Sequence, residues 1–202
     1  MSLGRIGLFG GSFDPPHLGH LKLANAATEA CALHRMFILP AACSPFKANV
    51  FASDADRLVM CRQTFAGPGF TVSDFELKKG GKSYTVDTVA HFRALYPEAE
   101  IWLLMGEDQL LSFHRWYRWQ EILKNASLCA AVRNGDGRRE TLERYADETL
   151  RAYGSVRVME FEPFPLSSTE IRQKVQKKAS VAGLVSPQTE KYILEKSLYC
   201  GL

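Results

Sequence analysis

The chain has 202 residues, enough for one domain with a sizeable core, and its 46% hydrophobic and 23% charged content are ordinary for a soluble globular protein. A net charge of +3 suits an anionic small molecule. It lacks the clustered basic stripe of a polyanion reader, so nucleic acid is not expected as a partner.

Five cysteines (Cys31, Cys43, Cys61, Cys129, Cys200) make an odd set with no Cys-x-x-Cys spacing. That argues against a zinc site or a disulfide framework and points to a reducing compartment. No apolar run of signal-peptide length precedes the first glycines, and no segment is apolar enough to span a membrane. The expectation is a cytoplasmic protein, one domain over 1–202, with a small helical C-terminal part from about 167.

In chain order, Arg5 to Phe9 reads as a short buried strand, and Gly10-Gly11 as a tight turn open to a ligand. Pro15-Pro16 can lead into a helix, and His17 to about Ala32 favours one. Arg35 to Pro40 is a second strand, so the first forty residues form a βαβ unit. Ala41 to Ser53 is loop-like. Asp54 to Phe65 is helical, capped by Ser53 or Asp54, and Gly67-Pro68-Gly69 breaks it. Phe70 to Val72 is a strand, followed by a polar segment from Asp74 to Lys82 and a helix from Val86 to Tyr96.

Ile101 to Met105 is the most continuous apolar run, hence a central strand. Gly106-Glu107-Asp108 closes it at the carboxyl end, where open α/β sheets bind ligands. Short helices are expected over Gln109 to Leu123, and strands over Leu128 to Val132 and Val156 to Phe161. A charged, exposed helix should fill Glu140 to Tyr153, and two helices should start at Ser168 and Pro187. This alternation predicts an α/β fold: a doubly wound, mostly parallel sheet of five or six strands flanked by helices.

Two stretches carry chemistry. His17 and His20 stand three apart in the first turn of a helix that follows a strand and a glycine pair; Gly19 keeps that face open. A helix N-terminus attracts phosphate, so two imidazoles and backbone donors converge on one anion. Ser167 to Arg172 is the second. Ser167 and Glu170 have capping-box spacing, Ser168 and Thr169 offer donors at the helix mouth, and Arg172 can fork onto phosphate oxygens. Both helices follow strands, so in a parallel sheet both mouths open on one edge. Walker, dinucleotide-fingerprint and nucleophile-elbow motifs are absent from the sequence, which leaves electrostatic chemistry on a polyphosphate.

Gly10 to His20 resembles the [His/Thr]-x-Gly-His signature of the nucleotidyltransferase superfamily, and Ser167 to Arg172 its Ser-Ser-Thr-x-Ile-Arg motif. Ser83-Tyr84-Thr85 with Thr88, and Gly106-x-Asp108 followed by Phe113, Trp116 and Tyr117, look like the bacterial nicotinate-nucleotide adenylyltransferases. The resemblance runs from about Leu8 to Leu198. It implies transfer of the adenylyl group of ATP to nicotinate mononucleotide, with Mg²⁺ carried on the ATP phosphates and no metal site built by the protein.

By the same resemblance His17, His20 and Arg172 are the catalytic set. ATP is received by these three with Gly10, Gly11, Ser12, Phe13, Lys47, Gly106, Asp108, Arg133, Ser167, Ser168, Thr169 and Ile171. The mononucleotide meets Ser12, Phe13, Lys47, Tyr84, Thr85 and the ring of Trp116. One departure stands out. Many members carry Pro-Pro-His followed by a basic residue after the second strand, and here the run is Ser44-Pro45-Phe46-Lys47. Nicotinamide mononucleotide or phosphopantetheine as acceptor, and a non-catalytic adenine-nucleotide module, remain open at this point. So does assembly into a homo-oligomer.

Overall fold

The computed structural model describes residues 4–42, 51–133, 137–162 and 166–200. Six strands form one parallel sheet: β1 (Arg5–Gly11), β2 (Arg35–Pro40), β3 (Phe70–Val72), β4 (Glu100–Gly106), β5 (Ser127–Arg133) and β6 (Val156–Phe161). Their order is β3-β2-β1-β4-β5-β6.

Parallel neighbours need crossovers, and helices supply them. α1 (Leu18–Ala30) joins β1 to β2, and α2 (Asp54–Thr64) joins β2 to β3. α3 (Phe75–Lys79) and α4 (Thr85–Leu95) lead to β4. α5 (Glu107–Leu111), a 3₁₀ turn (Phe113–Arg115) and α6 (Trp119–Asn125) lead to β5, and α7 (Arg138–Tyr145) to β6. α8 (Ser168–Gln176) and α9 (Pro187–Glu195) close the chain. Among the described residues no helix is long and apolar enough to cross a membrane.

Strand side chains alternate between two faces, and both faces are buried. Ile6, Leu8, Ile101, Leu103, Met105 and Leu128 pack with Val86, Val89 and Phe92 of α4 and with Ile122 and Leu123 of α6. The other face sets Phe9, Ile38, Trp102, Leu104 and Cys129 against Ala24 and Ala27 of α1 and Cys61 of α2. β4 feeds both layers, as its unbroken apolar run predicts. A third cluster joins Met60 of α2 to Ile171 and Val175 of α8 and Ile193 of α9, so the C-terminal helices are anchored on α2.

The site is positioned by a break in pairing. β1 and β4 are partners from Arg5–Glu100 to Leu8–Leu103. Beyond that, Gly10 and Gly11 stay paired with Leu39 and Pro40 of β2, while Met105 and Gly106 stay paired with Ala130 and Ala131 of β5. The two strands therefore part at their carboxyl ends. This is the point where successive connections change direction along the sheet, and it is where such sheets bind ligands.

Three local expectations change. Gly10 and Gly11 are not the turn: they are the last two residues of β1, held in its ladder to β2. The reversal comes later, at Phe13, with φ 47°, and at a cis Asp14–Pro15 bond. The polar segment after β3 contains α3, because Phe75 stacks on His91 of α4 at 3.8 Å and pins the turn there. The helix expected over Glu140 to Tyr153 is α7 running into a π turn, Ala146–Leu150. It is not exposed throughout, since Leu142, Ala146 and Leu150 are buried against the sheet.

Candidate active site

The loop from β1 to α1 is held from beneath. Arg57 of α2 is fully buried, and its guanidinium donates to the carbonyls of Ser12 and Ala41, each at 2.7 Å, and to Asp54 at 2.6 Å. Asp14 is buried as well. Its carboxylate accepts from the N–H groups of Phe51 (2.7 Å) and Ala52 (3.1 Å) and from the Tyr199 hydroxyl (2.8 Å). Burial and the adjacent Asp14 charge push the Tyr199 hydroxyl far above its usual range. Phe13 turns its ring inward against Phe9, Phe65 and His20. A Cβ on Gly11 would sit 3.1 Å from that ring, whereas one on Gly10 would meet nothing within 4 Å and enter open space.

His17 is the N-cap of α1 and His20 its N3 residue. The rings lie 3.7 Å apart, tilted by 32°. The His17 N–H donates to His20 Nδ1 at 3.2 Å, so a neutral His20 ring carries its proton on Nε2. His20 borders a cavity with Gly10, Ser12, Phe13, Gly106, Ser168 and Arg172. His17 lies behind it, 7% exposed, with Nδ1 buried and unpartnered. Desolvation lowers its pKa to about 4 against a weaker upward pull from Glu170, so the ring is neutral at pH 7.

The mouth of α8 reaches the same cavity. Ser167 and Glu170 form the expected capping box, with Ser167 Oγ donating to the Glu170 carboxylate at 2.8 Å. Those bonds hold the Glu170 carboxyl below its usual range. Ser168 Oγ donates to the Pro15 carbonyl at 2.9 Å. Arg172 donates to the Asp14 carbonyl at 2.7 Å and to Thr169 Oγ1 at 3.1 Å, and lies over the ring of Phe51. The two helix mouths are thus stitched together and open side by side.

A second cavity lies across the parting of β1 and β4, lined by Gly10, Gly11, Ser12, Glu76, Ser83, Thr85, Thr88 and Trp116. Glu76 is 8% exposed and accepts from Thr88 Oγ1 at 2.8 Å. Burial pushes its carboxyl up, against the downward pull of bonds from Thr88 and Ser83. Ser83 Oγ in turn accepts from the Ala42 N–H at 3.2 Å. These bonds fix the start of α4, whose N-cap Tyr84 supplies no side-chain cap to the first-turn N–H groups.

Of the residues singled out in the sequence, Gly10, Gly11, Ser12, Phe13, His20, Gly106, Ser168 and Arg172 border the first cavity. Thr85 and Trp116 border the second. Six others stand apart, His17 behind the first cavity among them. Ile171 is buried in the third core cluster, so its side chain meets no ligand. The Ser167 hydroxyl is committed to its cap. Thr169 reaches the first cavity only through Arg172. Tyr84 packs on Tyr117, and Asp108 is exposed on α5 without bordering either cavity. Lys47 lies outside the described residues, and Arg133 ends β5.

Sequence reasoning missed Arg57, Glu76 and Gln109. Gln109, which borders both cavities, did leave a signal: it is a Gln three residues after Gly106, the spacing of half a capping box. Arg57 and Glu76 left none, because only the packed fold shows that their charges are buried. Among the described residues no three His, Cys, Asp or Glu side chains converge to hold a metal ion.

The cytidylyltransferase-like family model matches residues 8–174. A Neisseria meningitidis serogroup C protein named "Probable nicotinate-nucleotide adenylyltransferase" is 38% identical over 199 residues, covering 96% of this chain and 98% of the relative. A Laribacter hongkongensis protein of the same name is 39% identical over 206 residues, covering 96% and 94%. The likeness thus takes in both cavities. Among solved structures, Plasmodium falciparum nicotinic acid mononucleotide adenylyltransferase complexed with NaAD matches with a TM-score of 0.77 over 97% of each chain, and at 17% identity this speaks to the fold. The chain belongs to the cytidylyltransferase-like family and, within it, to the nicotinate-nucleotide adenylyltransferases.

Proposed function

We propose that the protein transfers the adenylyl group of ATP to nicotinate mononucleotide, giving nicotinate adenine dinucleotide and pyrophosphate. The observation that carries this reading is the pair of cavities meeting along Gly10–Ser12. One has imidazole, guanidinium and two helix mouths, the chemistry of a triphosphate site. The other has an indole, hydroxyls and an uncapped helix start, the chemistry of an aromatic ring bearing a carboxylate.

A phosphate oxygen of the acceptor attacks the α-phosphorus of ATP in line. The bond from that phosphorus to the oxygen bridging to the β-phosphate breaks, and pyrophosphate leaves with the electron pair. No protein nucleophile is needed, so the chain contributes position and charge stabilisation. His20 Nε2–H donates to the reacting phosphate, backed by His17. Arg172 and Ser168 hold the β- and γ-phosphates. Gly10 lets the phosphates lie close to the strand end, and Gly11 makes room for the Phe13 ring. Trp116 stacks on the pyridine, and the first N–H groups of α4 receive its carboxylate. Mg²⁺ arrives on the ATP phosphates and shields their charge.

The test is turnover with ATP, Mg²⁺ and either pyridine mononucleotide. Pyrophosphate release with the nicotinate form, at a kcat/KM at least about tenfold above the nicotinamide form, is expected, because an uncapped helix start prefers an anion to an amide. No release with the nicotinate form removes the reading. Equal rates remove the acceptor assignment.

A further inference from the structure

Four residues border both cavities: Gly10, Gly11, Ser12 and Gln109. Two have no side chain. The first three belong to the β1 end, so Gln109 is the one seam residue contributed from the β4 side of the gap. Its backbone is fixed on α5 by the next residue, Leu110, which is buried in the core.

The amide orientation is fixed too. Gln109 Oε1 accepts from the Gly106 N–H at 3.1 Å, and an N–H can be met only by the amide oxygen. Nε2, with two N–H donors, is the end left for the seam. We infer that Gln109 is a further catalytic residue, whose Nε2 donates hydrogen bonds to the phosphate oxygens that meet at the seam when the two substrates react. This rests on the adenylyl-transfer reading above. As the acceptor oxygen bonds to the α-phosphorus and the bond to the bridging oxygen breaks, charge builds on the non-bridging oxygens. Gln109 transfers no proton; it stabilises that charge from the β4 side of the gap, as His20 does from the start of α1. Its bond to Gly106, which borders the first cavity, keeps the amide in place before substrate arrives.

Gln109→Glu separates this role from plain capping. The carboxylate still offers an oxygen to the Gly106 N–H, but both donors are gone and a negative charge faces the phosphates. Gln109→Ala removes cap and donors together. Steady-state kinetics on the full chain with ATP and nicotinate mononucleotide should show kcat reduced about tenfold in Gln109→Ala and about a hundredfold in Gln109→Glu. KM for ATP should move by less than about threefold, and the thermal midpoint of Gln109→Glu, which keeps the cap, should stay at the wild-type value. A Gln109→Glu enzyme with wild-type kcat would show that the residue only caps α5 and would overturn the inference. Wild-type kcat in Gln109→Ala would do the same. Absence of turnover by the wild-type protein would remove the adenylyl-transfer reading and this one with it; an active wild type beside an unimpaired Gln109→Glu removes this one alone.

Discussion

Burial gives His17 and His20 different work although they stand three residues apart. His17 has a pKa of about 4 in the fold against 6.5 for a free histidine. Between those values the unfolded chain binds more protons, so stability falls as pH drops from about 6.5 to about 4 and this group adds no further loss below that. A shift of that size corresponds to roughly 3 kcal/mol. Urea titrations at pH 7 and pH 4 should therefore show His17→Asn losing about 3 kcal/mol less than the wild type over the same interval. His20, on the cavity wall, belongs to activity instead. His20→Ala should lower kcat by about a hundredfold, roughly 3 kcal/mol of barrier. The spacing that brought the rings together was legible in the sequence. Which ring faces the cavity was not, because that depends on the burial of His17, which only the packed fold shows.

At the scale of elements, the capping box at Ser167 was readable from four residues, and α8 begins where it says. α4 was readable as a helix but not as a wall of a site. Its first turn is set by Glu76 from α3, through the hydroxyls of Thr88 and Ser83. Removing that acceptor leaves a buried hydroxyl unmet, at a cost of about 1–3 kcal/mol. Glu76→Ala should raise KM for nicotinate mononucleotide at least about tenfold and leave KM for ATP within about twofold, because only the second cavity touches this helix start. A matched rise in both constants would mean that the clamp supports the fold at large. The glycine pair was misplaced for an instructive reason. Glycine permits a turn, but here it ends a strand, and the turn falls to Phe13, whose buried ring stabilises a backbone conformation that bulky residues seldom adopt.

For the whole molecule, the order of strands was legible in outline from the alternation of apolar runs and helices. The cross-chain ties beneath the site were not. Arg57 is the plainest case: its charge is stabilised by two carbonyls and by Asp54, contributed from three segments. Arg57→Met should destabilise the fold by about 3–5 kcal/mol in denaturant titration, since the carbonyls of Ser12 and Ala41 lose their donors. Tyr199 ties the C-terminal segment to Asp14 in the same way. Tyr199→Phe should cost about 1 kcal/mol and lower activity less than His20→Ala, because it loosens the support of the loop and not the wall of the cavity.

The parting of β1 and β4 also bears on how substrates enter. Widening it would break the ladder to β2 or to β5, and narrowing it would drag both strands off those same partners. The cleft therefore works as a slot of set width and not as a jaw. A slot of this kind is preorganised: ligands lose their own freedom on binding, while the sheet has little to surrender. Selection between acceptors then falls at entry, on whether a ring and its carboxylate fit a space already cut.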